Sequence, residues 1–291
     1  MLERIVAIVF PVFAIVLGGW LYGRRHKPDM AFANQLNMDV FLPALVFAAL
    51  ADKSFDIVAN QALAWGAVIM ILGSGLLAWP LAKLIGVAPK TFVPPMMFNN
   101  CGNLGLPLAV LAFGDQALGP AVVMFILSNL LHFSLGAWLL DRHVKWWTLW
   151  RIPVVAASLV GFLVSLAGIA IWEPLKFAIK MMGDVSIPLL LFSLGVRVAD
   201  STLSAVRIGV IGALARPALG LAISWCVAVA FGLEGLPKSM LLLFGALPPA
   251  VLNYVFAERY QQEPGVAASI VLIGNIAAIA IIPAVLAVIL V

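Results

Sequence analysis

Amide side chains and helix-breaking residues are concentrated in one short stretch, FNNCGNLGLPL, at residues 98–108 of a chain that is otherwise strongly apolar. It holds three asparagines, two glycines and a proline. Proline removes a backbone donor and glycine lets the chain leave helical geometry, while an asparagine amide can donate to an anion or offer its oxygen to a cation. The stretch therefore predicts an interrupted helix beside a polar site for a small ion.

A second stretch, GALPPAVLNYVF at residues 245–256, repeats this combination. Two broken helices would place half-helix N-termini, which attract anions, inside the protein. One terminus contributes at most about 2 kcal/mol, so a small carboxylate would also need amides, retained water or a co-bound cation. The alternative is that these residues only kink or pack helices. We predict one substrate site from Asn99, Asn100, Gly102, Asn103, Pro248, Pro249, Asn253 and Tyr254, with Pro94, Pro95, Gly105 and Pro107 as crossover or hinge residues.

Composition places both stretches in a membrane. The chain has 291 residues, of which 64% are hydrophobic and 10% are charged. A soluble domain could not bury that much apolar surface. Apolar runs of about 17–25 residues predict membrane-spanning helices. We expect an all-α integral membrane protein with ten spans, at residues 4–22, 33–50, 60–82, 90–113, 117–140, 152–171, 175–197, 206–231, 238–257 and 265–290.

Lysine and arginine predict the orientation of these spans. One set of connections carries eleven of them: Arg24, Arg25, Lys27, Lys83, Lys90, Arg142, Lys145, Arg151, Arg197, Arg207 and Arg259. The other set carries five: Arg4, Lys53, Lys176, Lys180 and Lys238. Because basic loops stay in the cytoplasm, both termini should be extracellular or periplasmic, in a multi-pass protein of the inner or plasma membrane.

The chain also contains an internal repeat. Residues 37–50, NMDVFLPALVFAAL, resemble residues 182–195, MGDVSIPLLLFSLG, and PPMMFNN resembles PPAVLNY. We divide the chain into repeats at 1–145 and 146–291, each with five predicted spans. Since five is odd, the second repeat enters the membrane from the opposite side, which is the inverted architecture of many secondary transporters. The family resemblance described below implies scaffold and transport subdomains that draw helices from both repeats.

A few polar residues inside the spans are further candidates. Asp39 and Asp184 occupy equivalent repeat positions, where an acid either couples an ion or caps a helix at the interface. Arg216 could bind an anion, pair with an acid or extend to the helix end. His132 could relay protons, although a lone histidine usually packs or forms hydrogen bonds. With the matched pair Asn129 and Asn275, the candidates for ion coupling or support are Asp39, Asp184, Asn129, Asn275, Arg216 and His132.

Two motifs carry a family resemblance. NNCGNLGLPLAVLAFG is similar to the first crossover of the auxin efflux carrier family, and ALPPAVLNYVFAERY is similar to its second. The resemblance implies a PIN-like fold related to the bile-acid/sodium symporters, with crossed, broken helices 4 and 9. It matches Asn100, Pro107, Pro248 and Asn253 to crossover positions. The long hydrophilic loop of plant auxin carriers is missing, which favours the compact bacterial members described as malonate or malate permeases.

These observations predict a secondary transporter of small organic carboxylates, such as malonate or malate, working by elevator-type alternating access. The alternatives are an auxin-like aromatic carboxylate, a bile-acid-like sodium symporter, or a channel or receptor that uses the same cavity. No enzyme, ATP-binding or metal-cluster signature is found, so no cofactor is expected beyond sodium or a proton as coupling ion. The expected partners are the anion, the lipid bilayer and a second copy bound through the scaffold, without nucleic acid.

Overall fold

The structure, a computed structural model, describes residues 2–51, 57–143, 152–200 and 203–290. Its regular elements within these ranges are helices. The α-helices are α1 (Leu2–His26), α2 (Ala31–Leu36), α3 (Leu42–Leu50), α4 (Ile57–Leu84), α5 (Pro89–Met97), α6 (Leu106–Phe113), α7 (Leu118–Leu131), α8 (Ala137–Leu140), α9 (Pro153–Leu166), α10 (Glu173–Asp184), α11 (Ser186–Asp200), α12 (Val206–Ala230), α13 (Gly235–Ala246), α14 (Leu252–Arg259) and α15 (Pro264–Ile289).

Several of these helices are long and apolar enough to cross a membrane. In the described part of the chain there are seven such stretches: Leu2–His26, Ala31–Leu50, Asn60–Leu84, Asp115–Leu140, Glu173–Ala199, Val206–Ala230 and Pro264–Ile289. Shorter apolar helices cover Cys101–Phe113, Pro153–Leu166 and Gly235–Ala246. The chain is therefore an all-helical, multi-pass membrane protein, as its composition predicted, while the count of ten spans stays a prediction.

Wide, π-helical turns occur in three of these apolar segments. They lie at Asn37–Phe41, Cys101–Gly105 and His132–Gly136. Such turns insert an extra residue and often occur at functional sites. Each of them brings a buried polar or sulfur-containing side chain into the interior, respectively Asn37, Cys101 and His132.

Helix ends follow local sequence signals. Proline stands in the first turn of α5, α9, α10 and α15, where its missing N–H would have no helical partner. Gly86 and Gly232 adopt left-handed φ angles of 73° and 60° just after α4 and α12. In both places the next residue, Val87 or Leu233, donates its N–H back to the last turn of the helix.

One group of helices is held together by close glycine contacts. Helix α1 packs along α11, and α3 packs against α9 and α10. A Cβ atom at Gly19 would lie 2.1 Å from the Phe192 carbonyl oxygen, and one at Gly195 would lie 2.0 Å from the Val16 oxygen. Such close approach is how membrane helices gain packing energy without a hydrophobic driving force. We call α1–α3 and α9–α11 the outer group.

The remaining helices form a second group around the broken segments. Helix α12 packs against α4, α13 and α15, and α4 packs against α5 and α7. Fully buried aromatic side chains, including Phe92, Phe98 and Phe244, fill the interior between them. We call α4–α8 and α12–α15 the inner group. The predicted repeat boundary at 145 and 146 and the charges Lys53, Lys145 and Arg151 lie outside the described residues.

Candidate functional site

The two polar stretches meet in the interior and pair with each other. Helix α5 ends at Met97 and α13 ends at Ala246, and each is followed by extended backbone. Asn99 and Pro249 form an isolated antiparallel bridge. Its two hydrogen bonds run from the Asn100 N–H to the Pro248 oxygen, at 2.8 Å, and from the Ala250 N–H to the Phe98 oxygen, at 2.9 Å. We call this pairing the crossover.

Proline explains why these segments leave helical geometry. Pro248 and Pro249 have no N–H, so they cannot continue the helical ladder of α13. Their carbonyl groups are used instead: Pro248 accepts from the Asn100 backbone and Pro249 accepts from the Asn275 amide at 3.0 Å. The carbonyl groups freed by the breaks thus accept hydrogen bonds from the other broken segment and from α15, because backbone polar groups in a membrane interior must be paired within the protein.

Asparagine side chains brace the crossover. The Asn253 amide nitrogen donates to the Phe98 and Ala250 oxygens, both at 2.9 Å. The Asn99 amide nitrogen donates to the Phe244 oxygen at 2.6 Å. Within the described structure, the amide oxygens of Asn99 and Asn253 are buried without a hydrogen-bond partner. Both side chains therefore hold the backbone with their donors and leave acceptors unused.

Asn100 and Asn275 form a direct side-chain link. The Asn100 amide nitrogen donates to the Asn275 amide oxygen at 2.8 Å, and the Asn275 nitrogen donates to the Val271 oxygen at 2.8 Å. Asn275 belongs to α15, so its amide ties the first broken helix to both α15 and the Pro249 backbone. Of the six residues predicted for ion coupling or support, this one bonds directly to a predicted substrate residue.

A cavity of about 250 Å³ lies beside the crossover, and we call it the crossover cavity. It opens between the inner-group segments around Cys101 and Val251 and the outer-group helices α2, α3 and α11. Of the predicted site residues, Asn99, Asn100, Gly102, Asn103, Asn129 and His132 line it. Asn253 is buried close by without lining it, and Pro248 and Pro249 form the crossover backbone.

The same cavity contains polar residues that the sequence did not single out. They are Asn34 on α2, Ser128 on α7, and Ser193 and Arg197 on α11. The sequence indicates a role for Arg197 only as a cytoplasmic charge. Nothing local distinguishes these positions, because their importance depends on which face of each helix meets the crossover.

Helix ends give the site its electrostatics. The helical segment Cys101–Phe113 and helix α14 both begin at the cavity, so their N-termini present backbone N–H groups and partial positive charge. The residues around these starts that line the cavity are Cys101, Gly102, Asn103, Val251 and Leu252. Such helix ends favour an anion over a cation, and binding of an anion here stays a prediction.

Arg216 is placed behind the crossover and lines none of the cavities described here. It is fully buried, and its Nη1 donates to the Gly245 oxygen at 3.2 Å in the last turn of α13. A cation is favourable at that negative helix end. Gly220 allows the close approach, since a Cβ there would lie 2.1 Å from the Gly245 oxygen. Arg216 therefore caps α13 in this structure, rather than facing the predicted anion site.

His132 is packed between aromatic rings at the edge of the cavity. Its ring stacks on Phe98, with centroids 4.1 Å apart, and lies 4.9 Å from the Phe256 ring. The side chain is 3% exposed, and its Nε2 has no hydrogen-bond partner among the described residues. Stacking accounts for its position, and the unpaired nitrogen keeps it a candidate proton carrier.

The two predicted acids lie away from the crossover. Asp39 is exposed and accepts from the Gln35 amide at 3.2 Å. Asp184 is exposed and accepts from Lys180, with an Nζ to Oδ2 distance of 2.9 Å. Asp184 also lines a separate cavity of about 690 Å³, together with Lys176, Lys180 and Asp115, which we call the distal cavity.

The predicted hinge residues are buried in helices rather than in the extended segments. Pro94 and Pro95 lie inside α5, and Pro107 lies in the first turn of α6. Gly105 has a helical φ of −65°, and a Cβ there would lie 2.9 Å from a Leu247 methyl group. Its small size, not its conformational freedom, is what the structure uses.

A third cavity, of about 360 Å³, lies on the other side of the start of α14, and we call it the side cavity. It contains the predicted residues Tyr254 and Asn275, with Glu258 and Arg197. The Tyr254 hydroxyl donates to Glu258 Oε1 at 3.2 Å. In the described residues, no group of three or more His, Cys, Asp or Glu side chains could hold a metal ion.

Comparison with known proteins identifies a family of membrane transport proteins. A family model described as membrane transport protein matches residues 4–143 and 139–286. An uncharacterized transporter of Methanothermobacter thermautotrophicus is 27% identical over 304 residues, covering 94% of this chain and 95% of that protein. An uncharacterized transporter of Methanocaldococcus jannaschii is 22% identical over 285 residues, covering 91% and 92%. A probable auxin efflux carrier component 1b of Oryza sativa subsp. japonica is 28% identical over 148 residues, or 47% of this chain and 26% of that protein.

Proposed function

The chain belongs to the membrane transport protein family, that of the auxin efflux carriers, and from this premise we propose that it is a secondary transporter of small organic carboxylate anions. The observation that carries the proposal is the convergence of two broken-helix N-termini on one amide-lined cavity. Paired interruptions of this kind are where secondary transporters bind their substrates. A carboxylate would be bound by backbone N–H groups around Cys101–Asn103 and Val251–Leu252.

The size of the crossover cavity supports a compact substrate. Its volume of about 250 Å³ is below the range of about 300–1,000 Å³ typical of drug-sized ligands. A dicarboxylate such as malonate or malate concentrates negative charge in a small volume, which helix termini reward. A bile-acid-sized substrate is disfavoured on the same ground.

An aromatic carboxylate is the second candidate, and a specific observation favours it. Phe125, Phe133 and His132 line the same cavity, so an aromatic ring could stack there while its carboxylate reaches the helix termini. The rice relative is named a probable auxin efflux carrier, although it matches 47% of this chain. Direct competition between malonate and indole-3-acetate separates the two candidates.

Repeated packing supports an inverted repeat. If the repeats begin at α1 and α9, then α9 corresponds to α1 and α11 corresponds to α3. The packing of α1 against α11 is then equivalent to the packing of α9 against α3, and both contacts are present. Likewise α5 packs on α4 as α13 packs on α12. The glycine ends at Gly86 and Gly232 occupy corresponding positions. We propose that the outer group is the scaffold and the inner group is the transport subdomain.

Two cavities at different levels along α3 and α11 support alternating access. Leu42 of α3 and Leu190 of α11 line the crossover cavity. Leu45 of α3 and Ile187 of α11 line the distal cavity. These pairs are one helical turn apart, or about 5 Å. Both cavities lie between the outer and inner groups, so a sliding movement of the inner group would transfer the substrate between them.

The coupling ion has two candidate sites in this arrangement. The unpaired oxygens of Asn99 and Asn253 are acceptors suited to sodium, and the unpaired nitrogen of His132 is suited to a proton. Sodium dependence that disappears in Asn99→Ala, or proton dependence that disappears in His132→Phe, would identify the ion.

Transport in proteoliposomes tests the function. Purified protein is reconstituted, and uptake of radiolabelled malonate, malate and indole-3-acetate is followed with and without a sodium gradient or a pH gradient. We expect uphill accumulation of a dicarboxylate, and exchange against internal unlabelled substrate. Flux that only equilibrates would indicate a channel, and binding without flux would indicate a receptor.

A further inference from the structure

Arg197 occupies a position shared by two cavities. It lines both the crossover cavity and the side cavity, together with Leu194 and Val251. Among the described residues that line these two cavities, Arg197 is the arginine or lysine, and the crossover cavity also contains His132. Arg197 is partly buried on α11, and the side cavity that it lines also contains Tyr254 and Glu258 of α14. Arg197 therefore lies at the boundary of the two cavities, next to Val251, which precedes the start of α14.

Ser193 lies one helical turn before Arg197 and lines the crossover cavity with it. This serine is 9% exposed, and its hydroxyl has no hydrogen-bond partner among the described residues. Residues four apart on a helix share a face, so one stripe of α11 offers a hydroxyl donor and a guanidinium to the same space. An unpaired buried hydroxyl is costly unless a ligand or water uses it.

The opposite wall of the cavity has a different donor set. There, Asn100, Gly102 and Asn103 belong to the first broken helix, whose N-terminus supplies neutral backbone donors. One wall therefore suits a carboxylate through helix-terminal N–H groups, and the α11 wall suits a carboxylate through a hydroxyl and a bidentate guanidinium. The walls belong to the inner and the outer group, respectively.

We propose that Ser193 and Arg197 form a second carboxylate subsite, which makes the crossover cavity selective for dicarboxylates over monocarboxylates. The inference rests on the proposed function and specifies its substrate class. One carboxylate binds at the broken-helix terminus, and the other binds the α11 stripe. A monocarboxylate fills the first subsite and leaves the Ser193 hydroxyl without an anion.

Malonate and its monoamide, malonamate, test the proposal, because they differ by one carboxylate. Dissociation constants of both are measured by calorimetry on the purified full-length protein. In the wild type we expect malonate to bind at least about 10-fold more tightly than malonamate. Arg197→Gln should weaken malonate binding by about 10- to 100-fold, the usual range for a hydrogen bond to a charged group, and malonamate binding by less than about 3-fold.

Two further variants keep the test independent of folding defects. Ser193→Ala removes one hydroxyl and should weaken malonate binding by about 3- to 10-fold, with little effect on malonamate binding. Arg259→Gln removes an exposed arginine at the end of α14 and should leave both constants unchanged. If Arg197→Gln fails to fold, as judged by size-exclusion chromatography, the result for Ser193→Ala decides whether the second subsite exists.

The outcomes separate the two levels of the proposal. Equal wild-type affinity for malonate and malonamate, or equal losses for both in Arg197→Gln and Ser193→Ala, overturns the second subsite and leaves carboxylate transport standing. Binding of neither anion to the wild type overturns the proposed function and the subsite together. A selective loss of malonate binding in both variants supports both.

Discussion

The Asn253 amide is the side chain whose removal should loosen the crossover most directly. Both of its donor hydrogens are used, one on the Phe98 oxygen and one on the Ala250 oxygen, each at 2.9 Å. A typical intramolecular hydrogen bond contributes a net of about 0.5–1.5 kcal/mol, so Asn253→Ala should cost about 1–3 kcal/mol. The Phe98 oxygen keeps its bond from the Ala250 N–H, which limits the loss.

This loss should appear mainly in substrate binding. The α14 N-terminus begins at Leu252, so a looser crossover misplaces one of the two helix starts that face the anion. If the whole cost falls on the bound state, malonate affinity decreases by about 5- to 150-fold. The assay is calorimetric titration of malonate, combined with the thermal midpoint of the detergent-solubilised protein.

Two controls make the result specific. Gln262→Ala removes one side-chain hydrogen bond, which the Gln262 amide donates to the Tyr260 oxygen at 3.2 Å. Because Gln262 lies outside the cavities described above, the affinity for malonate should not change. Asn253→Asp keeps the side-chain size but replaces the donors by acceptors that face carbonyl oxygens, and should be at least as damaging as Asn253→Ala. Wild-type affinity and stability in both Asn253 variants would refute the bracing role and the placement of the site.

Three other perturbations probe the stability, topology and ion coupling of the protein. Arg216→Ala should destabilise the protein by about 2–4 kcal/mol, because it leaves an internal cavity and uncaps α13, and an unchanged thermal midpoint in detergent would contradict this. In a cysteine-free background, Lys238→Cys and Arg259→Cys should react with an impermeant thiol reagent from opposite sides of the membrane, with Arg259→Cys on the cytoplasmic side; labelling from one side would rule out the proposed topology. Asp39→Asn and Asp184→Asn should retain sodium- or proton-dependent uptake if these exposed acids are structural, whereas loss of the dependence with retained exchange would assign them to coupling.

Composition and local pattern determined the class of the protein. Apolar runs predict membrane helices because the bilayer is the solvent, and that depends on the residues in each run alone. The breaks near Asn99 and Pro249 were also predictable, since proline and glycine act on their own backbone. Two crossover motifs then identified the family that the comparisons support.

The tertiary structure decided what each polar group does. Asn100 and Asn253 were predicted to contact the substrate directly, and that stays a prediction, but here their amides bond to Asn275 and to the Phe98 and Ala250 backbone. No local rule specifies such partners. An amide has two donors and one acceptor oxygen, and their use depends on which segment lies opposite.

Long-range packing also selected the residues that line the crossover cavity. Ser193 and Arg197 reach it because α11 presents that face between α1 and the first broken helix, while Arg216 is directed to the end of α13. In a chain this apolar, hydrophobic periodicity gives little information about which face is buried in protein and which faces lipid. Close approach at positions such as Gly195 fixes those faces, so the apolar helices and the two breaks at the crossover follow from the sequence, whereas the composition of the site depends on how the helices pack.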